Sequence, residues 1–146
     1  MYRKDRDGAG GGTAIYVKQT LDHSEIDLPV LQTLEANAVV LNTNSMGPIR
    51  VVSAYQQPTR NIIPADFEVF NSPLPTIVAG DLNSKHQAWN SRVANTHGRA
   101  LAQYVAARAI TVAAPDGPTY FSSAGHRPDI LDIALLNRIA TTYTTH

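Results

Sequence analysis

Between Thr76 and Arg92 a short apolar run, Ile77-Val78-Ala79, stops abruptly and gives way to a carboxylate, an amide and an imidazole at Asp81, Asn83 and His86. A run this short, bounded by turn residues, reads as a strand buried in a sheet, with Gly80 allowing a turn after it. The carboxyl ends of strands are where open α/β sheets place their ligands. Alternation along an extended chain would send Asp81 and Asn83 to one side and Leu82 to the other, so that acid and amide face a common point.

The remaining elements suit a mixed α/β chain. Thr13 to Lys18, Leu34 to Leu41 and Ile49 to Tyr55 have strand composition, and the Asn42 to Pro48 turn makes the last two a hairpin. Pro64 to Phe70 predicts a short helix that buries Phe67 with Phe70 or Val69. Gly98 to Ala109 predicts a longer one, with Leu101, Tyr104, Val105 and Arg108 on one stripe and Asn95 or Thr96 as its cap. Ile110 to Ala113 and Ile130 to Leu136 read as further strands, with Pro115 to Pro118 a turn before Thr119, and Thr141 to His146 as a loose end. Gly8 to Gly12 precedes a strand and lacks a following Gly-Lys-Ser/Thr, so it is a turn and not a phosphate loop.

With 146 residues, 43% of them hydrophobic, the chain holds enough for one domain, read as spanning residues 1–146. No cysteine is present, which excludes disulfides and thiolate metal sites. No run approaches the ~18 apolar residues of a membrane span, and the N-terminus lacks a signal-peptide core, so an untargeted intracellular protein without a membrane partner is expected. Net charge is zero, but no acidic residue falls between Asp81 and Asp116, whereas Lys85, His86, Arg92, His97, Arg99 and Arg108 do. Either this is uneven scatter, or the segment faces an anion such as a phosphodiester.

Individual residues then invite chemistry. Asp132 lies among Ile130, Leu131, Ile133, Ala134, Leu135 and Leu136. A carboxylate buried there would need a histidine, arginine or metal partner; on an edge strand it would simply face solvent. Asp129, after Arg127-Pro128, reads as a surface residue. Tyr55 ends a strand, as Asp81 follows one, and its phenol could donate to a phosphate oxygen. The five histidines show no zinc-ligand spacing. Trp89 either plugs the core or offers a flat face to a base or sugar.

Gly80-Asp81-Leu82-Asn83, Val51 to Tyr55 and Leu131 to Leu135 together resemble the endonuclease/exonuclease/phosphatase superfamily. The longer phrases Gly10 to Lys18, Ile77 to Arg92, Asn95 to Leu101 and Arg127 to Leu135 resemble the endonuclease domain of jockey-type non-LTR retrotransposons. The resemblance covers nearly the whole chain. It implies an α/β (in some schemes α+β) DNase I-like four-layer sandwich of two β-sheets flanked by helices, and Mg²⁺-dependent (or Mn²⁺-dependent) hydrolysis that nicks DNA for target-primed reverse transcription. A reverse transcriptase would follow in the parent polypeptide, which would work in the nucleus.

By motif, the resemblance makes Asp81 the residue that orients or deprotonates the attacking water and Asn83 a holder of water or phosphate. Tyr55 would contact the scissile phosphate, His86 would support the site, and Asp132 would match the acid that orients a catalytic histidine. Lys85, Arg92, Arg99 and Trp89 would meet DNA. The chain departs from the family pattern at both ends: it has neither the first strand ending in Asn nor the glutamate that binds metal, and no Ser-Asp-His, since His146 lacks a Ser-Asp before it. The expectation is an incomplete domain with exposed apolar sheet surface and unpaired edges, weak or no cleavage, and metal ligands that the residues leave unassigned. A remnant that binds nucleic acid without cutting it, another phosphodiesterase of the superfamily and an inert relic are the competing readings.

Overall fold

The structure is a computed structural model that describes residues 1–5, 12–122, 125 and 127–140. Most of the glycine-rich turn, and the C-terminal segment 141–146 with His146, lie outside the described residues. In chain order the elements are β1 (Tyr2–Asp5), β2 (Gly12–Ile15), β3 (Asp22–Ile26), β4 (Leu34–Thr43), β5 (Gly47–Gln56), a 3₁₀ helix (Pro64–Phe70), β6 (Thr76–Asp81), a 3₁₀ turn (Gln87–Trp89), α1 (Thr96–Ala107), β7 (Thr111–Ala113) and β8 (Asp132–Asn137).

β1 and β2 form a two-stranded sheet; the other six pair in the order β3-β4-β5-β6-β8-β7. Only β5 and β6 run parallel, and the 3₁₀ helix carries the crossover between them. The expected hairpin is the pairing of β4 with β5 from Leu34↔Gln56 to Thr43↔Gly47. The strand expected to reach Lys18 ends at Ile15, after which Tyr16 points into solvent. β3, Asp-His-Ser-Glu-Ile, has no apolar alternation to reveal it, and its polar composition suits the edge it occupies.

Period-two alternation sorts the large sheet into two faces. Ala36, Ala38, Val52, Ala54, Val78, Ile133 and Leu135 point to one side, where they share a core with Phe67, Phe70, Leu101, Tyr104 and Val105 of the helices. α1 presents Leu101, Tyr104 and Val105 to this core as its spacing predicts, and Asn95 caps it by accepting the N–H of Gly98 at 2.7 Å. On the opposite side the β1–β2 sheet packs against β4 and β5, and Asn37 Nδ2 donates to the Tyr2 carbonyl. The described residues thus supply three layers. Beyond the small sheet, Val51, Ile77 and Leu136 are half-buried and Ala79 is exposed.

Asp66 closes the wall beside this core. Its carboxylate accepts the backbone N–H groups of Gln32, Thr33 and Leu34 and the Thr33 hydroxyl, tying the loop before β4 to the 3₁₀ helix. Burial pushes this carboxyl up, but the donors prevail and hold it below its ordinary value.

Candidate active site

Tyr55, Asp81 and Asp132 stand on neighbouring strands at one end of the sheet, on the face away from the helical core. The parallel pairing of β5 with β6 runs to Ser53↔Ala79, two residues before Tyr55 and Asp81, and the antiparallel pairing of β6 with β8 ends on Asp81↔Asp132. Directly opposed residues carry their Cβ atoms ~5 Å apart on the same face, so the two carboxylates are neighbours. Tyr55, Asp81, Asn83 and Lys85 line one cleft of about 350 Å³ with Pro58, Asn95, Tyr120 and Leu131.

Gly80 is not a turn. It lies inside β6 at φ +148°, and a Cβ there would meet the Ala54 carbonyl oxygen at 1.9 Å. This close approach is what lets the backbones of β5 and β6 meet just before Asp81. The extended geometry stops beyond Asp81: Asn83 takes a left-handed φ of 44°, and Asp81 Oδ1 accepts its N–H at 2.9 Å, the local turn a short polar side chain favours. Asn83 reaches the cleft through that turn, with Nδ2 donating to the Gln56 carbonyl at 2.9 Å. Asn95 holds the loop from the other side, donating to the Asn83 carbonyl at 2.7 Å while its Oδ1 accepts the N–H groups of Lys85 and Gly98. The sequence marks Asn95 only as a helix cap.

Of the two alternatives for Asp132, the structure shows the solvent-facing one, although β8 lies between β6 and β7 and is not an edge strand. β8 turns Ile133 and Leu135 inward and Asp132, Ala134 and Leu136 outward, so an apolar neighbourhood in sequence is not one in space. Thr119 fixes the start of this strand, its hydroxyl accepting the N–H groups of Leu131 and Asp132. The buried acid is Asp129, 2% exposed, whose sequence context suggests a surface residue. Its Oδ1 accepts the backbone N–H groups of Arg92 and Ile130, and its Oδ2 lies 3.2 Å from Lys85 Nζ and 4.0 Å from Arg92 Nε.

Of the residues expected to meet DNA, Lys85 reaches the cleft while paired with Asp129. Arg92 is exposed, but its Nε is shared between Asp129 and the Pro128 carbonyl. Arg99 is exposed beside the start of α1 and donates to the Ala94 carbonyl. Trp89 does not offer a face to a base: it is 2% exposed, its Nε1 donates to the Ser84 carbonyl, and the 3₁₀ turn folds it into the core. His86 caps that turn, accepting the Ala88 N–H at Nδ1, and packs on Trp89 with ring centroids 4.9 Å apart. It does not line the cleft.

Burial raises the carboxyl of Asp81 above its ordinary value; the Asn83 N–H opposes this and the charge of Asp132 adds to it. Such a group is a better proton acceptor than an ordinary carboxylate. A divalent cation would relieve the repulsion between Asp81 and Asp132. No group of three or more His, Cys, Asp or Glu gathers around a common point among the described residues. Two neighbouring carboxylates fit Mg²⁺, which is commonly held by one or two carboxylates with waters and substrate phosphate completing its shell.

Asp129 shares its sign with Asp66. Burial pushes Asp129 up, yet its N–H donors and Lys85 bring it below its ordinary value. A carboxyl lowered in the folded state stabilises fully above its unfolded pKa and loses that contribution as pH falls through the folded pKa; Asp81, raised, acts oppositely. Urea midpoints are therefore expected to be flat from pH 7 to about 5 and to drop below about pH 4. Asp66→Asn should flatten that drop and lower the midpoint at pH 7; an unchanged acid limb would contradict this role for Asp66.

The sequence family described as endonuclease-reverse transcriptase matches residues 49–145, about two thirds of the chain. No curated protein matches it. Among solved structures, the endonuclease domain of TRAS1, a telomere-specific non-LTR retrotransposon, superposes with a TM-score of 0.68 at 19% identity, over 83% of this chain and 57% of that one. At this identity the likeness shows a common fold, that of DNase I-like endonucleases, and the chain spans little more than half of the domain it matches.

Proposed function

This chain belongs to the endonuclease-reverse transcriptase family, and from that premise we propose that it is the nuclease portion of a retroelement polypeptide and hydrolyses a phosphodiester to nick DNA. The observation that carries this reading is Asp81, which lines the cleft with Asn83 and Tyr55 and stands opposite Asp132 of the neighbouring strand, itself outside the cleft lining. In the parent polypeptide a reverse transcriptase would extend from the nick, a reaction that places the element's work in the nucleus.

Asp81 and Asp132 would hold Mg²⁺ or Mn²⁺ together with oxygens of the substrate. When bound, the ion supplies Lewis-acid polarisation of the phosphoryl oxygen. The chain's own residues do the rest. Asp81 orients the attacking water and accepts its proton. Asn83, pinned by Gln56 and Asn95, keeps its side-chain oxygen beside that water, and the phenol of Tyr55 donates to a non-bridging oxygen. Lys85, paired with Asp129, sits at the cleft wall as a cation positioned toward the phosphate rather than a free one. Among the described residues no histidine lines this cleft; slow cleavage is the activity we propose for the chain by itself.

The assay is supercoiled plasmid with Mg²⁺. Slow conversion to nicked circles is expected, abolished by EDTA. DNA retardation without any nicking at high enzyme would favour the binding remnant instead, a reading that the occupation of Lys85 and Arg92 by Asp129 disfavours.

A further inference from the structure

Asp129 does not line the catalytic cleft, yet it organises two residues that do. Its side chain is 1% exposed, so its charge has to be met from inside the fold. The two carboxylate oxygens divide that task. Oδ1 accepts the backbone N–H groups of Arg92 and Ile130 at 3.1 and 3.0 Å, and Oδ2 faces Lys85 Nζ at 3.2 Å. The Asp129 main chain is fixed as well: its carbonyl accepts the N–H groups of Thr119 and Tyr120, and its N–H donates to the Tyr120 carbonyl. The acid is thereby tied to the segment that carries Tyr120, a wall of the cleft, just before β8 begins.

Lys85 is the other residue, and it is held at both ends. Asn95 clamps its backbone, with Oδ1 accepting the Lys85 N–H and its own N–H donating to the Lys85 carbonyl, each at 3.0 Å. Asp129 holds the ammonium, while the lysine side chain stays 27% exposed along the cleft wall. A long flexible side chain is costly to order on demand. Here a buried acid and a clamped backbone have ordered it before any substrate arrives.

We propose that Asp129 is a positioning residue for phosphodiester hydrolysis, acting through Lys85 by fixing its ammonium where negative charge grows on the phosphoryl oxygens; this rests on the nuclease reading above. A cation set in place beforehand stabilises developing charge without reorganising at the moment of reaction. A lysine already neutralised by a carboxylate adds little to affinity, because affinity for DNA comes from free cations that displace its counterions. The pair thus serves turnover and not binding, and its loss should move the two differently.

Asp129→Asn separates them, since the amide oxygen can still accept the Arg92 and Ile130 N–H groups while the charge facing Lys85 is gone. With Mg²⁺ and supercoiled plasmid, kcat is expected to fall roughly 10- to 100-fold with KM unchanged or lower. In EDTA, a fluorescein-labelled duplex should bind at least as tightly as to the wild type, with a dependence of log affinity on log salt steeper by about one, as Lys85 becomes free to meet a phosphate. The double variant Asp129→Asn/Lys85→Met should be no slower than Lys85→Met alone, because a residue acting through another has nothing further to lose. Lys85→Arg, which keeps the charge and moves it, should bind duplex as the wild type does and nick as slowly as Asp129→Asn; it keeps the test valid if Asp129→Asn does not fold. Weakened binding together with weakened turnover in Asp129→Asn, additive losses in the double variant, or wild-type nicking by Lys85→Arg would each overturn the role even with the wild type active. A wild type that nicks nothing would instead end the nuclease reading and this role together.

Discussion

Gly80→Ala is expected to abolish cooperative folding, with a loss above about 4 kcal/mol. Two penalties coincide there. The backbone sits at φ +148°, which an L side chain rarely adopts, and the new Cβ would fall 1.9 Å from the Ala54 carbonyl oxygen, an immovable main-chain atom of the neighbouring strand. Relief would require β6 to part from β5 in the middle of the six-stranded sheet, where Val52, Ala54 and Val78 are at most 2% exposed. The same parting would move Asp81 away from Tyr55. Thermal unfolding followed by circular dichroism gives the result directly: a broad transition or none is expected, and a midpoint within a few degrees of wild type would show that the close approach does not exist.

Asp81→Asn is expected to reduce plasmid nicking by at least ~10²-fold, in the range a positioned general base supplies, while leaving stability nearly unchanged. The amide keeps the side-chain oxygen that accepts the Asn83 N–H, so the turn survives. It removes the proton acceptor and one of the two carboxylates a cation would use. Relief of the repulsion with Asp132 should even add slightly to stability. Loss of activity with a retained or raised unfolding midpoint is therefore the signature; equal nicking by the variant would remove Asp81 from the chemistry.

Much of this arrangement is legible in the amino-acid sequence. The apolar triplet 77–79 marks a strand whose far end carries Asp81. The stripe of Leu101, Tyr104 and Val105 marks α1 and its buried face, and Asn95 or Thr96 marks its start. These are local signals, written within a few residues. What escapes depends on partners far along the chain. Asp129 is buried because donors at Lys85 and Arg92 meet it, which no inspection of Arg-Pro-Asp-Ile can show. The apolar neighbours of Asp132 suggest burial, whereas the pleat turns it outward. Gly80 suggests a turn, yet its reason is the backbone of Ala54. Trp89 suggests either a core plug or a ligand platform, and the Ser84 carbonyl and a 3₁₀ turn carry it inward. β3 carries no apolar pattern at all, and only pairing with β4 makes it a strand.

In the nuclease proposed here, the ends of β6 and β8 would form one cation-binding, catalytic edge. Mn²⁺ titrated into isotopically labelled protein tests it most directly, because the paramagnetic ion broadens the amide signals nearest to it. Asp81, Asn83, Asp132 and Ile133 are expected to broaden first, and Asp81→Asn to abolish the effect at the same Mn²⁺ concentration. Broadening centred on Asp22 and Glu25 of the edge strand, or on Asp116, with the signals of Asp81 and Asp132 intact, would contradict it.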